Sequence, residues 1–557
     1  MTTVQKWFEN KKWIPQEFQK KCWKAYSEGK SGMLHAPTGS GKTFALWGGI
    51  LNEAQLKKKH PAGIQAIWIT PLRALAVEIQ QATQSITDDL NADLKISLRT
   101  GDTSQSERIK QKRKPSFGLV TTPESLHVLI SAKDHQKSFN HLNVIVVDEW
   151  HELLGTKRGV QIELAIAYLR ALLPNLKVWG ISATLGNKNL SRQILLGSIK
   201  NYVVINAKIK KKIKVKSILP KNMESFPWRG HLGINLLPQV LRLIRKNKTT
   251  LIFTNTRAQC EIWFYQILDS DPKLAGEIAM HHGSIDKKIR LWVEDALRNE
   301  KLKVVVCTSS LDLGVDFSPV ENCIQIGSPK GVGRFIQRAG RSGHNPKAES
   351  TIHFLPTHAI ELIESVALQR GIEQQQIEDR IPFLNSYDVL LQFLMTLAVG
   401  SGFYPQKLFP IIQNTFCFQT LNKERWQWII NFLVNGSQGL EHYDEYKKVT
   451  VLENGLLKVQ NRGIVMRHRL SMGTIISDST LKIRYQKGGY LGSIEEWFIT
   501  KLKKGDVFTF SGRNLELIRL HNMEVIVRKS KSKKTRIPSW IGGRMSFSSN
   551  LSELLKK

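Results

Sequence analysis

Two stretches of the chain predict its fold: APTGSGKT at residues 36–43 and NVIVVDEWHELLG at residues 143–155. In the first, Gly39 and Gly41 allow a tight turn that directs backbone N–H groups and the N-terminus of the following helix toward phosphate groups. The second predicts a buried parallel strand that ends in two carboxylates. A glycine pattern alone can be a chance loop, but its combination with this acidic strand end favours an ATP site.

The polar residues of these stretches have predicted roles in ATP chemistry. Lys42 would reach the β and γ phosphates, and Thr43 would hold Mg²⁺. Asp148 would contact the Mg²⁺ shell, and Glu149 would orient or deprotonate the attacking water. The loop residues predicted to bind the nucleotide are Thr38, Gly39, Ser40, Gly41, Lys42 and Thr43.

The composition predicts a folded, multidomain protein with a polyanionic partner. The 557 residues, 41% hydrophobic and 23% charged, exceed what one hydrophobic core organises. Lys and Arg number 81 against 47 Asp and Glu, which gives a formal charge of +34. Nucleic acid is the commonest partner for such an excess, although a generally basic proteome is an alternative. Two basic runs, KIKKKIKVK at 208–216 and RKSKSKKTR at 528–536, favour the first interpretation, and the first run predicts a strand with one basic face.

The cysteine pattern favours a reducing, cytoplasmic location. The five cysteines stand at positions 22, 260, 307, 323 and 417 without any CxxC pair, which argues against a zinc module and an iron–sulfur cluster. No signal peptide or membrane-spanning run is visible, so no membrane association is expected. The pair His281 and His282 is interpreted as part of a strand-end loop rather than a metal site.

Hydrophobic patterns divide the chain into four parts. Short β runs alternate with amphipathic helices over residues 1–205 and again over 206–370, which predicts parallel sheets with crossover helices. Residues 371–455 show helical spacing of apolar side chains, and residues 456–557 show short strands with Gly-rich turns. The predicted strands are 66–70, 96–100, 117–122, 143–148, 177–182, 249–255, 303–309 and 322–328, and the predicted helical stretches are 390–400 and 425–434.

Further polar motifs fall at the carboxyl ends of these strands, where such sheets bind ligands. They are TPLRALA (70–76), TTPES (121–125), SAT (182–184), TNTR (254–257), CTSSLDLGVDF (307–317) and QRAGRSGH (337–344). The set resembles that of superfamily 2 DExH helicases. DEWHELLGTKRGVQ (148–161), GISATLGN (180–187) and IPSWIGGRMSFSS (537–549) resemble the Lhr family, the large helicase-related proteins. The match is nearest to the branch of ligase-associated DNA damage response helicases.

The resemblance covers essentially the whole chain and implies a fold class. It is α/β: two tandem RecA-like parallel-sheet domains at 1–205 and 206–370, then a helical winged-helix-like domain at 371–455 and a small C-terminal β module at 456–557. Family members usually continue past the GGRM segment. The last module could therefore be complete or truncated, and both alternatives stay open.

The resemblance also implies roles in the ATPase cycle. In WIPQEFQ (13–19), Phe18 would pack on adenine and Gln19 would bond its edge, the alternative being an ordinary amphipathic helix start. Arg338 and Arg341 would face the γ-phosphate from the second domain, with Arg341 as the main arginine finger. His344 stands where most superfamily 2 relatives have a second finger arginine.

Four polar residues would connect ATP to the rest of the motor. Gln337 and Asp316 would couple the γ-phosphate to domain closure, although either could be purely structural. Ser182 and Thr184 would link Asp148 and Glu149 to the strand-binding surface.

Other positions match the residues that hold nucleic acid in relatives. Contacts with the phosphate backbone are implied for Arg73, Thr122, Asn255, Arg257 and Thr308, and these polar side chains suit a grip that is independent of sequence. Solvated loops are the alternative for each of them. Trp540 would stack on a base as a wedge, or would anchor the core of the β module. Arg467, His468 and Arg469 are expected to line the nucleic-acid channel in which Trp540 would stack.

Together these features predict an ATP-dependent 3′ to 5′ single-stranded DNA translocase and helicase that unwinds DNA or RNA–DNA duplexes in DNA repair. Its cofactors would be ATP and Mg²⁺, and its protein partners would include a DNA ligase and a nuclease of the same repair system. An RNA helicase or ribonucleoprotein remodeller with the same motor is the alternative. A scaffold with a silent motor is a second one, which the intact Lys42, Asp148, Glu149 and Arg341 disfavour.

Overall fold

A computed structural model describes most of the chain. The described residues are 3–37, 39–56, 60–183, 185–207, 209, 212–220, 232–312, 320–342, 349–436, 448–473, 480–486, 488–521, 524–532 and 549–556. They fall into two compact units. The first unit comprises Met1–Ile209 and Arg380–Ser477, and the second comprises Lys210–Asp379 and Asp478–Lys557.

The strands are β1 (Ser31–His35), β2 (Ala66–Ile69), β3 (Ile96–Arg99), β4 (Gly118–Thr121), β5 (Val144–Val147), β6 (Lys177–Ser182), β7 (Tyr202–Asn206), β8 (Ile213–Ser217), β9 (Thr250–Phe253), β10 (Ile278–His281), β11 (Val304–Cys307), β12 (Asn322–Ile326), β13 (Ser350–Leu355), β14 (Thr450–Val451), β15 (Leu457–Lys458), β16 (Thr480–Tyr485), β17 (Tyr490–Glu495), β18 (Val507–Phe510), β19 (Arg513–His521) and β20 (Glu524–Lys529).

The α-helices are α1 (Thr3–Asn10), α2 (Glu17–Ser27), α3 (Lys42–Gln55), α4 (Arg73–Asp89), α5 (Gln105–Arg113), α6 (Pro123–Ile130), α7 (His135–Phe139), α8 (Trp150–Leu153), α9 (Lys157–Leu172), α10 (Lys188–Leu196), α11 (Leu237–Lys246), α12 (Arg257–Ser270), α13 (Lys287–Arg298), α14 (Val332–Ala339), α15 (Ile360–Glu373), α16 (Tyr387–Val399), α17 (Pro405–Gln413), α18 (Lys423–Asn435), α19 (Arg462–Leu470), α20 (Glu496–Ile499) and α21 (Ser549–Lys556). Short 3₁₀ turns lie at Ile234–Leu236, Pro272–Leu274 and Ser309–Leu311.

The first unit contains a seven-stranded sheet in the order β3-β4-β2-β5-β6-β1-β7. All of its strand pairs are parallel, so helices must cross over its faces between successive strands. Strand β5 lies in the middle with all four side chains buried, because its VIVV sequence is apolar on both faces. The carboxyl end of β5 is therefore held rigidly, and this end carries the two predicted catalytic acids.

The helical region of the first unit shares a hydrophobic core with helix α9. Buried side chains of α16, α17 and α18 belong to the same cluster as those of α9 and β5. The short antiparallel pair β14-β15 follows these three helices. Three helices followed by a β hairpin are the arrangement expected of a winged-helix region.

The second unit contains a six-stranded parallel sheet in the order β10-β11-β9-β12-β13-β8 and a five-stranded sheet in the order β17-β16-β20-β19-β18. The five-stranded sheet buries its own cluster of apolar side chains. It also packs on the parallel-sheet part, because the buried Glu261 of α12 accepts hydrogen bonds from the backbone N–H groups of Ser511 and Gly512.

The predicted fold class is confirmed. Each predicted strand overlaps an observed one, and 390–400 and 425–434 lie almost entirely within α16 and α18. The described part of the basic run at 208–216 forms β8, with Lys214 and Lys216 exposed as predicted. Within the two parallel sheets, strands β1, β7, β10 and β13 were not predicted individually. Of these, β1 carries the phosphate loop.

Candidate functional site

The phosphate loop follows β1, which lies between β6 and β7. Gly39 and Gly41 have φ angles of 75° and 81°, a left-handed conformation that favours glycine. Gly41 is also the N-cap of α3, so the first turn of that helix begins at Lys42. Ser40 Oγ donates to Pro37 O at 2.7 Å and fixes the turn. Thr38 lies outside the described residues, and its nucleotide contact stays a prediction.

Lys42 and Glu149 form a buried ion pair beside this loop. Lys42 Nζ donates to Glu149 Oε1 at 2.7 Å, and the side chains are only 10% and 7% exposed. Glu149 has a φ of 46°, an uncommon left-handed value for a residue with a side chain, which turns the chain sharply after β5. The two stretches that predicted the fold therefore meet, and the ammonium group and the carboxylate face each other.

Asp148 is the second buried acid at this strand end. Its Oδ2 accepts from Trp68 Nε1 at 3.2 Å, and its Oδ1 accepts from the backbone N–H of Glu149 at 2.8 Å. Burial and then the neighbouring Glu149 carboxylate raise the pKa of Asp148 to about 6, while Lys42 opposes the shift. An anionic Asp148 is costly here without a cation. This carboxylate and the hydroxyl of Thr43, the second residue of α3, are the hard oxygen donors that Mg²⁺ prefers, so the residues fit that ion.

His151 connects the acids to the end of β6. Its Nδ1 lies 3.2 Å from Ser182 Oγ and 3.4 Å from Glu149 Oε2. Burial lowers the pKa of His151, and the nearby Glu149 and Glu152 carboxylates oppose that shift. The predicted coupling residue Ser182 thus reaches Glu149 through a histidine that the sequence analysis did not name. The sequence could have indicated this histidine, since His151 is the last residue of the stretch DEWH at 148–151. Thr184, the other predicted coupling residue, lies outside the described residues.

The predicted adenine segment contacts the phosphate loop directly. Gln19 Nε2 donates to Gly41 O at 3.1 Å, and Gln19 Oε1 accepts from the backbone N–H of Gln16 at 2.8 Å. A Cβ atom on Gly41 would lie 2.8 Å from Gln19 Nε2, so a side chain there would displace the Gln19 amide. Phe18 is 5% exposed and packs in the hydrophobic core of the first unit. The adenine contacts of Phe18 and Gln19 stay predictions.

In the second unit, Arg338 is a buried cation with several partners inside the unit. Its Nε and Nη2 donate to the two carboxylate oxygens of Asp312 at 2.8 and 3.1 Å, and its Nη1 donates to Gln325 Oε1 at 2.5 Å. The guanidinium lies 5.0 Å from the ring centre of Phe253. With its donors engaged inside the unit and 1% of the residue exposed, this geometry favours a structural role for Arg338. Its predicted contact with the γ-phosphate stays a prediction.

Arg341 differs from Arg338 in exposure. It is half-buried and donates from Nη2 to the backbone O of Asp312 at 2.9 Å. Gln337 is buried on α14. Asp316 and His344 lie outside the described residues. The assignment of Arg341 as the finger, and of Gln337 and Asp316 as coupling residues, stays a prediction.

The predicted nucleic-acid residues of the first unit lie at strand ends and helix starts. Arg73 begins α4, is exposed, and donates to Asp102 Oδ1 at 2.7 Å. Thr122 caps α6 and donates to Ser125 Oγ at 3.2 Å. On α19, Arg467 is exposed, whereas Nε2 of His468 lies 3.0 Å from Thr396 Oγ1. Arg469, the third residue of that group, donates to Ser131.

The corresponding residues of the second unit follow β9 and β11. Asn255 Nδ2 donates to Ser328 O at 2.7 Å, Arg257 begins α12, and Thr308 is buried at the end of β11. Trp540 lies outside the described residues. The nucleic-acid contacts of all these residues stay predictions.

Comparison with known families identifies the chain. Family models match three parts: DEAD/DEAH box helicase at 16–192, helicase conserved C-terminal domain at 233–345, and large helicase-related protein, winged helix domain at 370–537. The chain is 31% identical to the ATP-dependent helicase Lhr-Core of Sulfolobus acidocaldarius over 564 residues, which cover 96% of this chain. The chain is thus similar to Lhr helicases over nearly its whole length, and its last part matches the Lhr winged-helix model. It spans 63% of the length of the Sulfolobus protein.

Solved structures share the fold of this chain. The structure of Mycobacterium smegmatis helicase Lhr bound to ssDNA and AMP-PNP has a TM-score of 0.76 at 24% identity, covering 86% of this chain and 63% of that one. The DUF1998 helicase MrfA bound to DNA and AMPPNP has a TM-score of 0.72 at 20% identity, covering 95% and 72%. Among the described residues of this chain, no helix is long and apolar enough to cross a membrane. Those residues also contain no group of three or more His, Cys, Asp or Glu side chains that could hold a metal ion.

Proposed function

We propose that this protein is an ATP-dependent helicase that translocates 3′ to 5′ on single-stranded DNA and unwinds DNA or RNA–DNA duplexes. The observation that carries the proposal is the buried pair of Lys42 and Glu149 at the phosphate loop, with Asp148 beside it and Ser182 reached through His151. A buried cation, two carboxylates and a link to a second motif at one strand end are what ATP hydrolysis would require, and this arrangement supports the proposal.

The ion pair suggests how ATP binding prepares the hydrolysis step. Phosphate oxygens entering the loop would compete with Glu149 for the Lys42 ammonium group, since both are anionic acceptors. Released from Lys42, Glu149 would be available to orient or deprotonate the attacking water, with His151 Nδ1 lying 3.4 Å from its other oxygen. The ionic partner of Lys42 would thus change from Glu149 to phosphate in each cycle.

Thr43 and Asp148 would hold Mg²⁺, which supplies charge neutralisation for the phosphates when bound. The guanidinium of Arg341 would stabilise the charge of the transition state, and Gln337 and Asp316 would couple that event to domain closure. Phe18 and Gln19 would select adenine. Because Gln19 bonds to Gly41 O, reading the base would also adjust the phosphate loop.

The substrate assignment is supported by charge and by relatives. A formal charge of +34 favours a polyanion. One structural relative is described as bound to ssDNA and another as bound to DNA. Grip on the strand is proposed for Arg73, Thr122, Asn255, Arg257, Thr308 and Trp540. A role in DNA repair, a cytoplasmic location and cooperation with a DNA ligase and a nuclease are proposed from the family resemblance.

One assay tests the proposal at its centre. ATP hydrolysis by the purified protein is measured with single-stranded DNA, with single-stranded RNA, and with neither. We expect strong stimulation by DNA. Stimulation by RNA alone would instead establish the RNA helicase alternative, and no hydrolysis under any condition would establish the silent scaffold.

Polarity and catalysis require two further measurements. Duplexes with a 3′ or a 5′ single-stranded DNA tail are compared, and only the 3′-tailed substrates should be unwound. Glu149→Gln should bind ATP but lose about 10²-fold or more in turnover, as expected on losing a positioned base. Glu453→Gln, the same change at an exposed turn of the first unit, is the matched control. Near wild-type turnover of Glu149→Gln would remove Glu149 from the mechanism.

A further inference from the structure

A cavity of about 370 Å³ lies within the first unit, away from the phosphate loop. Helices α5 and α6 form its walls, the sheet edge at β3 and β4 forms its floor, and Arg469 of α19 closes one side. None of the predicted nucleotide residues lines it, and of the predicted nucleic-acid residues Arg469 alone does so. Its size is at the lower end of the range that holds a small organic molecule.

Cationic side chains dominate the polar lining of this cavity, which includes Arg99, Arg108, Lys112 and Arg469. Two of them have partners in the protein: Lys112 lies 3.5 Å from Asp134 at the exposed rim, and Arg469 donates to Ser131. In the described part of the chain, neither Arg99 nor Arg108 has a carboxylate within ion-pairing distance. Two uncompensated guanidinium groups therefore remain at the cavity.

The surroundings of these two arginines add to the excess of positive charge at the cavity. Burial, and then the charge of Arg108, lowers the pKa of Arg99 to about 10. Arg108 Nη2 donates to the backbone O atoms of Thr100 and Gly101, but its Nε is buried without a partner among the described atoms. An anion between the two guanidinium groups would neutralise the repulsion and satisfy these donors.

The remaining lining is apolar and carries one acceptor. Leu119, Leu129 and Ile109 line the cavity, and Ile109 is 49% exposed although it is a large apolar residue. Gln111 donates from Nε2 to Leu98 O, while its Oε1 is buried without a partner among the described atoms. A matching ligand thus combines an anionic group, an apolar ring and an N–H donor. A nucleotide has all three.

We propose that this cavity binds one nucleotide unit, with its phosphate at Arg99 and Arg108, its base against the apolar wall and a base N–H group on Gln111 Oε1. The nucleotide can be a free mononucleotide or one residue of a strand. Binding of one residue of a strand rests on the proposed function. The position of the cavity supports it, because Arg108 bonds to the backbone of Thr100 and Gly101. The next residue, Asp102, pairs with Arg73, a predicted contact for the nucleic-acid backbone.

The test measures binding of thymidine monophosphate and of a labelled oligo(dT) of about fifteen nucleotides. Arg99→Gln removes the charge, and Ala132→Leu fills the cavity, since Ala132 lines it. Arg113→Gln is the matched control, because Arg113 lies exposed on the same helix α5 and outside the cavity. The mononucleotide is titrated in a Lys42→Ala background, which disables the phosphate loop, and circular dichroism confirms that each variant folds.

We expect Arg99→Gln and Ala132→Leu each to weaken one of the two probes by about tenfold or more, with little effect of Arg113→Gln. Loss confined to the mononucleotide identifies a free ligand, and loss confined to the oligonucleotide identifies a residue of the strand. Unchanged binding of both probes, or equal loss in the control, overturns the proposal. If Arg99→Gln does not fold, Ala132→Leu decides.

DNA-stimulated ATP hydrolysis is measured on the same variants with Lys42 intact. Its presence in the wild-type protein supports the helicase function whatever the cavity variants show. Its absence refutes that function, whereas binding of the mononucleotide would still support the cavity.

Discussion

Glu163 is expected to make the stability of the first unit depend on pH. This residue of α9 is buried, and its Oε2 accepts a hydrogen bond at 3.1 Å from the backbone N–H of Cys417 in the helical region. Burial raises the pKa of Glu163 from 4.5 to about 8, although the hydrogen bonds from the backbone of Cys417 and Phe416 oppose the shift. One pKa unit corresponds to about 1.4 kcal/mol, so the whole difference is about 5 kcal/mol.

The direction of the effect follows from proton binding. Between pH 4.5 and pH 8 the folded protein holds a proton on Glu163 that the unfolded chain has lost. Stability contributed by the neutral acid is therefore complete below pH 4.5 and falls as the pH rises to 8. Glu163→Gln cannot titrate, so it should remove about 5 kcal/mol of pH dependence from the free energy of unfolding across this window.

Urea denaturation of the full chain, followed by circular dichroism at several pH values from 4.5 to 8.5, measures this difference. Other titrating groups cancel when the variant is compared with the wild-type protein at each pH. Glu453→Gln, at an exposed turn of the same unit, should keep the wild-type pH dependence. Parallel stability curves for wild type and Glu163→Gln would refute the reasoning, because they would mean that Glu163 titrates alike in both states.

Four other predictions concern particular residues and the grip on single strands. Arg338→Ala should destabilise the second unit by about 3–5 kcal/mol because it removes the two-bond partner of buried Asp312 and leaves only the more distant Arg334, at 3.8 Å. Arg341→Ala should fold and bind ATP but fail to hydrolyse it. Melting and ATPase assays check both variants. If Arg341→Ala were the destabilised variant and Arg338→Ala the stable but inactive one, Arg338 would be the finger and Arg341 the structural residue. The affinity for single strands should fall with salt at a log–log slope implying at least about 4 phosphate contacts, and filter binding that gives a shallow slope would contradict a tracking groove. Trp540→Ala should keep DNA-stimulated ATPase and lose unwinding, whereas joint loss of both with lower melting temperature would make it a core residue.

The organisation of the two sheets could be predicted from sequence because local patterns encode it. The apolar run before Asp148 can be buried only in a sheet that is covered on both faces. The glycines of the phosphate loop likewise reveal a left-handed turn, since few other residues adopt it. By contrast, β1 reads SGMLH, which contains little β-branched sequence and was not predicted although it carries the phosphate loop.

The sequence by itself was enough to predict that Lys42, Asp148 and Glu149 carry ATP chemistry, since short motifs define them. Only the tertiary structure decided how they are paired, because the contact of Lys42 with Glu149 joins residues from different strand ends. It also distinguished Arg338 from Arg341, which are alike in sequence but differ in burial and in their bonds to Asp312. The cavity at Arg99 and Arg108 is visible only in three dimensions. Burial, charge pairing and cavity shape depend on distant segments meeting, and no local sequence pattern records that meeting.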